Sequence, residues 1–308
     1  MKYEEFVENI REMVAAFCGE NTKVMITQVK KNNGVNKTGL MMKNKNSNMA
    51  PTVYLEEFYQ EYKMGKTVSE IAHTIVKVYR EKHPNYGFQI EQFKDFEQVK
   101  TRIVYRIINR DKNQEILKEV PHINFLDLAV VPYLVFSVEE GNSGTILIKR
   151  EHLELWGISE DIVMSIAGEN TPKMLQPKLR KMEDTLKELF EINHLQKEQD
   201  VEIFLKDLEE NKEIVPMYVL TNQNNLYGAA CMLYHGVIEM FTEQLGEDVY
   251  ILPSSIHEVL LIPASRAMEP KELISMVRDI NATQLPVEEV LSDNVYRYSM
   301  EERGFCIL

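Results

Sequence analysis

Apolar residues recur along this chain with two different periods, and the switches between them outline its elements. Phe6, Val7, Ile10, Val14 and Phe17 stand at helical spacing while Glu4, Glu5, Glu8, Arg11 and Glu12 fill other positions, which predicts an amphipathic helix over Tyr3–Phe17. Thr22–Val29 then alternates Val24 and Ile26 with polar neighbours, Asn33-Gly34 supplies a turn, and Gly39–Met42 runs back, so a hairpin is expected. Thr67-Val-Ser-Glu70 has the form of a capping box, and Val68, Ile71, Ala72, Ile75, Val78 and Tyr79 make one helical stripe that stops before Pro84. Phe93–Ile108 repeats the helical pattern through Phe96, Val99, Ile103 and Ile107, with Arg102, Arg106 and Arg110 as an i, i+4 row on another face.

From Pro121 the period shortens. Phe125–Val138 is a strand-like run, Gly141-Asn-Ser-Gly144 a turn, and Thr145–Lys149 a second strand. Two short helices follow, Glu151–Trp156 and Ser159–Gly168, and Thr171-Pro172 and Pro177 then punctuate the chain. Leu186, Leu189, Phe190, Ile192 and Leu195 keep near-helical spacing within Met182–Glu213. The closing region reads as a strand at Met217–Leu220, a helix from Leu226 to Leu245 capped by Gly246, strands at Val249–Leu252 and Ile256–Ile262, a helix opened by Pro270, and strands at Val295–Tyr298 and Phe305–Leu308. Hairpins outnumber βαβ signals. The expected fold class is therefore α+β, with a helix-rich amino-terminal part carrying a hairpin (1–120) and a carboxyl-terminal domain (121–308) of mainly antiparallel sheet covered by helices.

Composition narrows the partners. The 308 residues carry a formal charge of −13, so the average surface repels nucleic-acid phosphates and anionic lipid; no nucleic-acid or membrane partner is expected, and a protein partner is. The stretch Met182–Glu213 holds eleven acids against four Lys, and Lys30–Asn48 is the one basic island, with five Lys, six Asn and no acid. That island lacks interleaved aromatics for stacking on bases and is expected to be a solvated hairpin tip and loop. Leu128–Val138 is too short to span a bilayer as a helix, and the acidic start of the chain does not fit a secretory leader. Cys18, Cys231 and Cys306 are odd in number and lack CxxC spacing, which suits reduced thiols; a cytoplasmic location is expected.

Titratable and nucleophilic groups concentrate at Ser254, Ser255, His257 and Glu258, the candidate binding residues. A strand over Ile256–Ile262 puts His257 and Glu258 on opposite faces, and Ser255 about 6.6 Å from His257 along an extended chain, beyond hydrogen-bond reach. The serines are expected to satisfy turn backbone at a strand end, although a turn at Pro253 would shorten the separation. There is no GxSxG elbow, and where an HExxH zinc motif needs its second ligand the chain has Leu261. Neither GxGxxG nor GxxxxGK[ST] occurs and no two histidines stand at metal-ligand spacing, so no cofactor and no metal are expected.

Arg102-Ile-Val-Tyr-Arg, Pro121-His-Ile-Asn-Phe-Leu-Asp-Leu, Gly144-Thr-Ile-Leu-Ile, Leu153-Glu-Leu-Trp-Gly, Ala167-Gly-Glu-Asn-Thr and Ile251-Leu-Pro-Ser-Ser-Ile-His-Glu-Val together resemble an uncharacterised bacterial family of the Firmicutes, a domain of unknown function, over nearly the whole chain. The stretch from Leu126 onward is also similar to a second uncharacterised bacterial family, which implies a compact α+β domain. Neither resemblance implies an activity or a catalytic residue. The expected function is a non-catalytic cytoplasmic protein-binding or regulatory module; the alternative is a hydrolase using Ser254 or Ser255 with His257.

Overall fold

The amino-terminal helix α1 (Tyr3–Cys18) forms where the apolar stripe predicts it and buries Phe6, Val7, Ile10 and Val14. It belongs to a computed structural model that describes residues 1–44, 52–81, 90–137, 144–192 and 215–308. These divide into two compact units, Met1–Val99 and Lys100–Leu308, whereas the change of texture in the sequence falls at 120/121.

In the first unit β1 (Thr22–Lys30) and β2 (Asn36–Asn44) pair antiparallel from Thr22↔Asn44 to Lys30↔Asn36. The turn between them uses Asn33 at φ 57° and Gly34 at φ 71°, two residue types that tolerate the left-handed region. Strand β3 (Thr52–Tyr54) adds to β2, followed by α2 (Glu56–Lys63), α3 (Val68–Glu81) and the short α4 (Ile90–Lys94) and α5 (Phe96–Val99). Leu40, Met42, Leu55, Ile71 and Ile75 close on Phe6 and Ile10 as a fully buried core, and Val76 takes the buried place expected for Val78. The capping box is present: the Thr67 N–H donates to Glu70 Oε2 (2.8 Å) and the Glu70 N–H to Thr67 Oγ1 (3.2 Å), while the Thr67 hydroxyl also donates to Glu70 Oε2 (2.7 Å); that hydroxyl first, and the Thr67 N–H after it, hold the Glu70 carboxyl below its ordinary pKa. Glu56 Oε1 accepts the Thr38 N–H (2.6 Å) and the Tyr3 hydroxyl (3.0 Å); burial first, and Glu56 after it, push the Tyr3 phenol up to about 12. The basic island lies partly outside the described residues, from Lys45 on.

The second unit begins with a correction. Phe93–Ile108 is not one helix: a 3-10 turn at Lys100–Arg102 leads into strand β4 (Ile103–Asn109), which pairs with β6 (Leu128–Ser137) from Ile103↔Leu134 to Asn109↔Leu128. The run Ile103-Val-Tyr-Arg-Ile-Ile is β-branched and aromatic, and a partner strand overrides its helix-compatible spacing. The short α6 (Gln114–Leu117) follows β4, and β5 (Ile123–Phe125) and β7 (Gly144–Leu147) share the other edge of β6. The expected single run Phe125–Val138 is thus interrupted at Leu126, φ 52°. Gly141–Ser143 of the expected turn lie outside the described residues.

Helices α7 (Arg150–Trp156) and α8 (Glu160–Met174) come next, α8 capped by Ser159 and running six residues beyond the expected end at Gly168. α8 seals the free edge of β4: the Tyr105 N–H donates to Thr171 Oγ1 (2.9 Å), and Asn170 Nδ2 donates to the carbonyls of Lys100 (2.8 Å) and Ile103 (2.9 Å). A strand that the sequence pattern did not predict, β8 (Pro177–Lys181), precedes α9 (Met182–Ile192); the rest of the acidic stretch lies outside the described residues. β8 flanks a six-stranded antiparallel sheet of order β13-β12-β10-β11-β9-β8, where β9 is Tyr218–Asn222, β10 Val249–Leu252, β11 Val259–Pro263, β12 Tyr296–Ser299 and β13 Gly304–Ile307. The expected helix from Leu226 to Leu245 is broken into a 3-10 segment (Gly228–Leu233) and α10 (Val237–Leu245), because Tyr227 and Gly236 take positive φ; Gly246 closes α10 in the left-handed region as expected. Helix α11 (Pro270–Thr283) packs Leu273 and Val277 against Leu252, Ile262 and Val295. Among the described residues no helix is long and apolar enough to cross a membrane.

One carboxylate ties the four-stranded sheet to the six-stranded one. Asp127, at the turn into β6, accepts from Ser292 Oγ (2.6 Å), Asn294 Nδ2 (3.0 Å) and Tyr296 Oη (2.8 Å), and Asn109 Nδ2 at the end of β4 donates to the Leu291 carbonyl (3.1 Å). Ser292 and Tyr296 are fully buried, so without Asp127 both hydroxyls lose the acceptor that offsets their burial. Asp127→Ala is expected to destabilise the protein by about 2–4 kcal/mol, and Tyr296→Phe, which removes one donor only, by about 1 kcal/mol, read from urea denaturation midpoints.

Candidate functional site

The candidate residues sit on a loop whose shape follows from its hydrogen bonds. The strand expected over Ile256–Ile262 starts only at Val259, so residues 254–258 form a turn, not extended chain. Ser255 is buried; its N–H donates to the Glu258 carbonyl (3.2 Å) and its Oγ accepts the backbone N–H of His257 (3.0 Å). The serine hydroxyl therefore meets the backbone of His257, not its ring. The Ile256 N–H donates to the Glu289 carbonyl (2.9 Å), and Thr221 Oγ1 on β9 donates to the His257 carbonyl (2.8 Å).

A second loop, 222–228, packs on the first. Asn222 is fully buried, and its Oδ1 accepts the N–H groups of Asn224 (3.1 Å) and Leu226 (3.2 Å) while its Nδ2 donates to the Leu226 carbonyl (2.7 Å). This wraps the chain tightly enough that Asn225 and Tyr227 both stand at φ 51°. Gly228 lies against the neighbouring backbone: a Cβ there would come within 2.5 Å of the His257 carbonyl oxygen and 2.8 Å of the Asn222 nitrogen. Nδ1 of His257 lies 3.3 Å from the Tyr227 N–H and 3.2 Å from the Asn225 carbonyl. Unprotonated it accepts from the first; protonated it donates to the second. Either way the loop backbone engages this nitrogen.

The strained conformation of Tyr227 aims its ring into a cluster. The rings of Tyr227 and His257 are nearly parallel, 16° between planes and 5.5 Å between centroids. Tyr133 meets Tyr227 edge-on at 5.1 Å, and the Arg106 guanidinium carbon lies 4.6 Å from the Tyr227 ring centroid. Arg106 and Tyr133 stand on one sheet face, because Arg106 is opposite Val131 and Val104 opposite Tyr133 in the β4–β6 ladder. Tyr133 is 1% exposed, and burial drives its hydroxyl pKa well above the ordinary phenol value, with the Arg106 charge pulling the other way. Neither its hydroxyl nor the buried Nε of Arg106 has a hydrogen-bond partner among the described residues. Cys231 is buried in the same neighbourhood, its thiol raised by desolvation to about 12, so it is a neutral, inert thiol.

The four predicted residues are thus not equivalent. Ser254 and Glu258 are brought together: burial raises the Glu258 carboxyl, and the nearby His257 charge and the Ser254 hydroxyl bond partly offset that rise. His257 joins the ring cluster, and Ser255 holds the turn. Sequence reasoning missed Arg106, Tyr133 and Tyr227. The available signal was a lone arginine inside the β-branched run Ile103–Ile108, which read as a strand shares a face with Val104 and Ile108. A solvent-open hollow of about 700 Å³ elsewhere in the second unit, lined by Arg180, Glu183, Asp184, Tyr218 and Phe241 among others, is less suited to chemistry, since Arg180 is already ion-paired with Glu188.

A protein-family model described as "Family of unknown function (DUF5688)" matches residues 3–300. No curated protein and no solved structure matches the chain.

Two outcomes follow from this geometry. Gly228→Ala is expected to destabilise the protein by about 1–3 kcal/mol, the cost of forcing a methyl group into packed backbone, seen as a lowered urea midpoint. For Glu258, a folded pKa above the unfolded one means that the native state binds the proton more tightly, so stability falls as pH rises from the ordinary carboxylate range through the raised value. Glu258→Gln is expected to melt higher than the parent protein at neutral pH, and this difference should close as the pH is lowered below the ordinary carboxylate pKa.

Proposed function

The chain belongs to the DUF5688 family, and from that premise we propose that it is a non-catalytic binding or regulatory module whose recognition site is centred on the half-buried Arg106 and Tyr227, backed by Tyr133 and His257. The observation that carries this reading is the commitment of the candidate catalytic groups to structure. The Ser255 hydroxyl accepts a backbone N–H, and His257 Nδ1 is engaged by the 222–228 loop. A serine nucleophile needs its oxygen on a ring nitrogen, and neither contact provides that. The Ser254 hydroxyl bonds Glu258, a carboxyl that burial makes harder to ionise. What remains available is a partly buried cation with aromatic surface, groups that bind rather than react.

The module acts in the cytoplasm with a protein partner. Three free thiols, Cys18, Cys231 and Cys306, suit a reducing compartment, and a net charge of −13 disfavours nucleic acid and anionic membrane. Capture from the native cell with the parent protein and with Arg106→Met tests the surface: a stoichiometric companion retained by the first and lost by the second supports it, and equal recovery refutes it. A fluorophosphonate probe tests the absence of catalysis. Ser254 and Ser255 are expected to stay unlabelled; labelling that Ser254→Ala or Ser255→Ala removes would establish the hydrolase instead.

A further inference from the structure

Around Tyr227 stand two hydrogen-bond donors that have no acceptor among the described residues. Arg106 is half-buried, carries a full positive charge, and among the described residues forms no ion pair; its Nε–H is shut off from solvent and unpartnered. Tyr133, on the same sheet face and against the same ring, presents a buried hydroxyl that is also unpartnered. An unmade hydrogen bond at a buried group is costly, more so beside a charge, and native structures keep such groups for a reason. Two donors of this kind, one cationic, on a rigid β ladder ask for an acceptor with negative charge. The guanidinium carbon lies 4.6 Å from the Tyr227 ring centroid, and an arginine placed over a ring can still donate in its own plane to a planar or tetrahedral oxyanion.

We infer that Arg106 and Tyr133 form the anion-recognition pair of this module, taking a small oxyanion, a carboxylate or a phosphate, with Tyr227 as the stacking base for the guanidinium. The assignment rests on the binding-module reading and names the ligand chemistry of the same cluster. The Tyr133 hydroxyl remains a protonated donor at physiological pH because its burial opposes ionisation. Arg106 supplies the charge and the fork; Tyr133 supplies a second, directional bond that a solvated lysine or arginine on the surface lacks.

The test uses the full chain, titrated by calorimetry and followed by thermal melting, with sodium phosphate and with sodium acetate, ionic strength matched throughout by sodium chloride. At least one oxyanion is expected to raise Tm above the chloride control. Stabilisation by phosphate alone assigns a phosphate ligand, and by acetate alone a carboxylate. Tyr133→Phe, which deletes only an unpartnered hydroxyl and so should fold as well as the parent, is expected to weaken binding at least about tenfold. Arg106→Met should abolish it. The pair is refuted if neither oxyanion exceeds chloride, or if Tyr133→Phe binds as tightly as the parent. Anion binding together with serine labelling would leave the pair standing and sink the non-catalytic reading; no anion binding with unlabelled serines would do the reverse.

Discussion

Three donors converge on the carboxylate of Asp127, and the arrangement of the second unit depends on that convergence. Asp127 sits where the chain enters β6, and Ser292, Asn294 and Tyr296 lie on the approach to and start of β12, so one side chain fixes a four-stranded sheet against a six-stranded one. Apolar packing alone is tolerant of sliding, whereas three directional bonds to one group are not. With that registration set, the face of β4 and β6 that carries Arg106 and Tyr133 meets the loops leaving β9 and entering β11, and Tyr227 and His257 arrive beside them.

Magnitudes decide how the cluster is read. A guanidinium over a tyrosine ring contributes roughly 0.5–2 kcal/mol and a buried donor left without an acceptor costs about 1–3 kcal/mol, so the stack offsets part or all of the bond that the Arg106 Nε lacks among the described residues and leaves the Tyr133 hydroxyl uncompensated. The Tyr133 hydroxyl adds a second cost of the same kind. Backbone strain points the same way: Asn225 and Tyr227 are held at positive φ by the Asn222 side chain, an arrangement that costs stability and sets the direction of one ring. Strain and, among the described residues, two unpartnered buried donors are thus gathered at one place, and they are the ground on which the binding proposal stands.

The legible parts of the fold were those determined by near neighbours. The stripe Phe6, Val7, Ile10, Val14, the turn at Asn33-Gly34, the Thr67–Glu70 capping box and the Gly246 cap are each decided within a few residues, and each appears where expected. β4 was not legible as a strand, because Arg102, Arg106 and Arg110 keep a four-residue spacing that fits a helix and the strand state depends on β6, distant in sequence. The same error hid the cluster: on a helix Arg106 reads as one of a salt-bridged surface row, and on β4 its guanidinium lies over Tyr227. The 254–258 region was misread by extending β11 backward, since Ile256 and Glu258 alternate correctly for a strand while the chain there is turned by Ser255 and held by Thr221 and Glu289. Nothing local announced that the helical face running from Leu226 is broken at Tyr227 and Gly236, because the turn at Tyr227 depends on the buried Asn222 side chain and on packing against the His257 loop.

β8 forms one flank of the six-stranded sheet, and its composition bears on how copies of this chain behave at high concentration. A sheet flank leaves backbone donors and acceptors unmatched along its outer side, and an identical strand from another molecule is their natural complement. Here that side is headed by Pro177, which has no N–H to offer, and followed by Lys178, Arg180 and Lys181 within five residues. Two such flanks brought together would bring Lys178 and Lys181 of one copy close to the cations of the other, although Leu179 between them is apolar and Arg180 is paired with Glu188. The missing N–H of Pro177 and the like charges of Lys178 and Lys181 therefore disfavour edge-to-edge pairing of two copies through this flank.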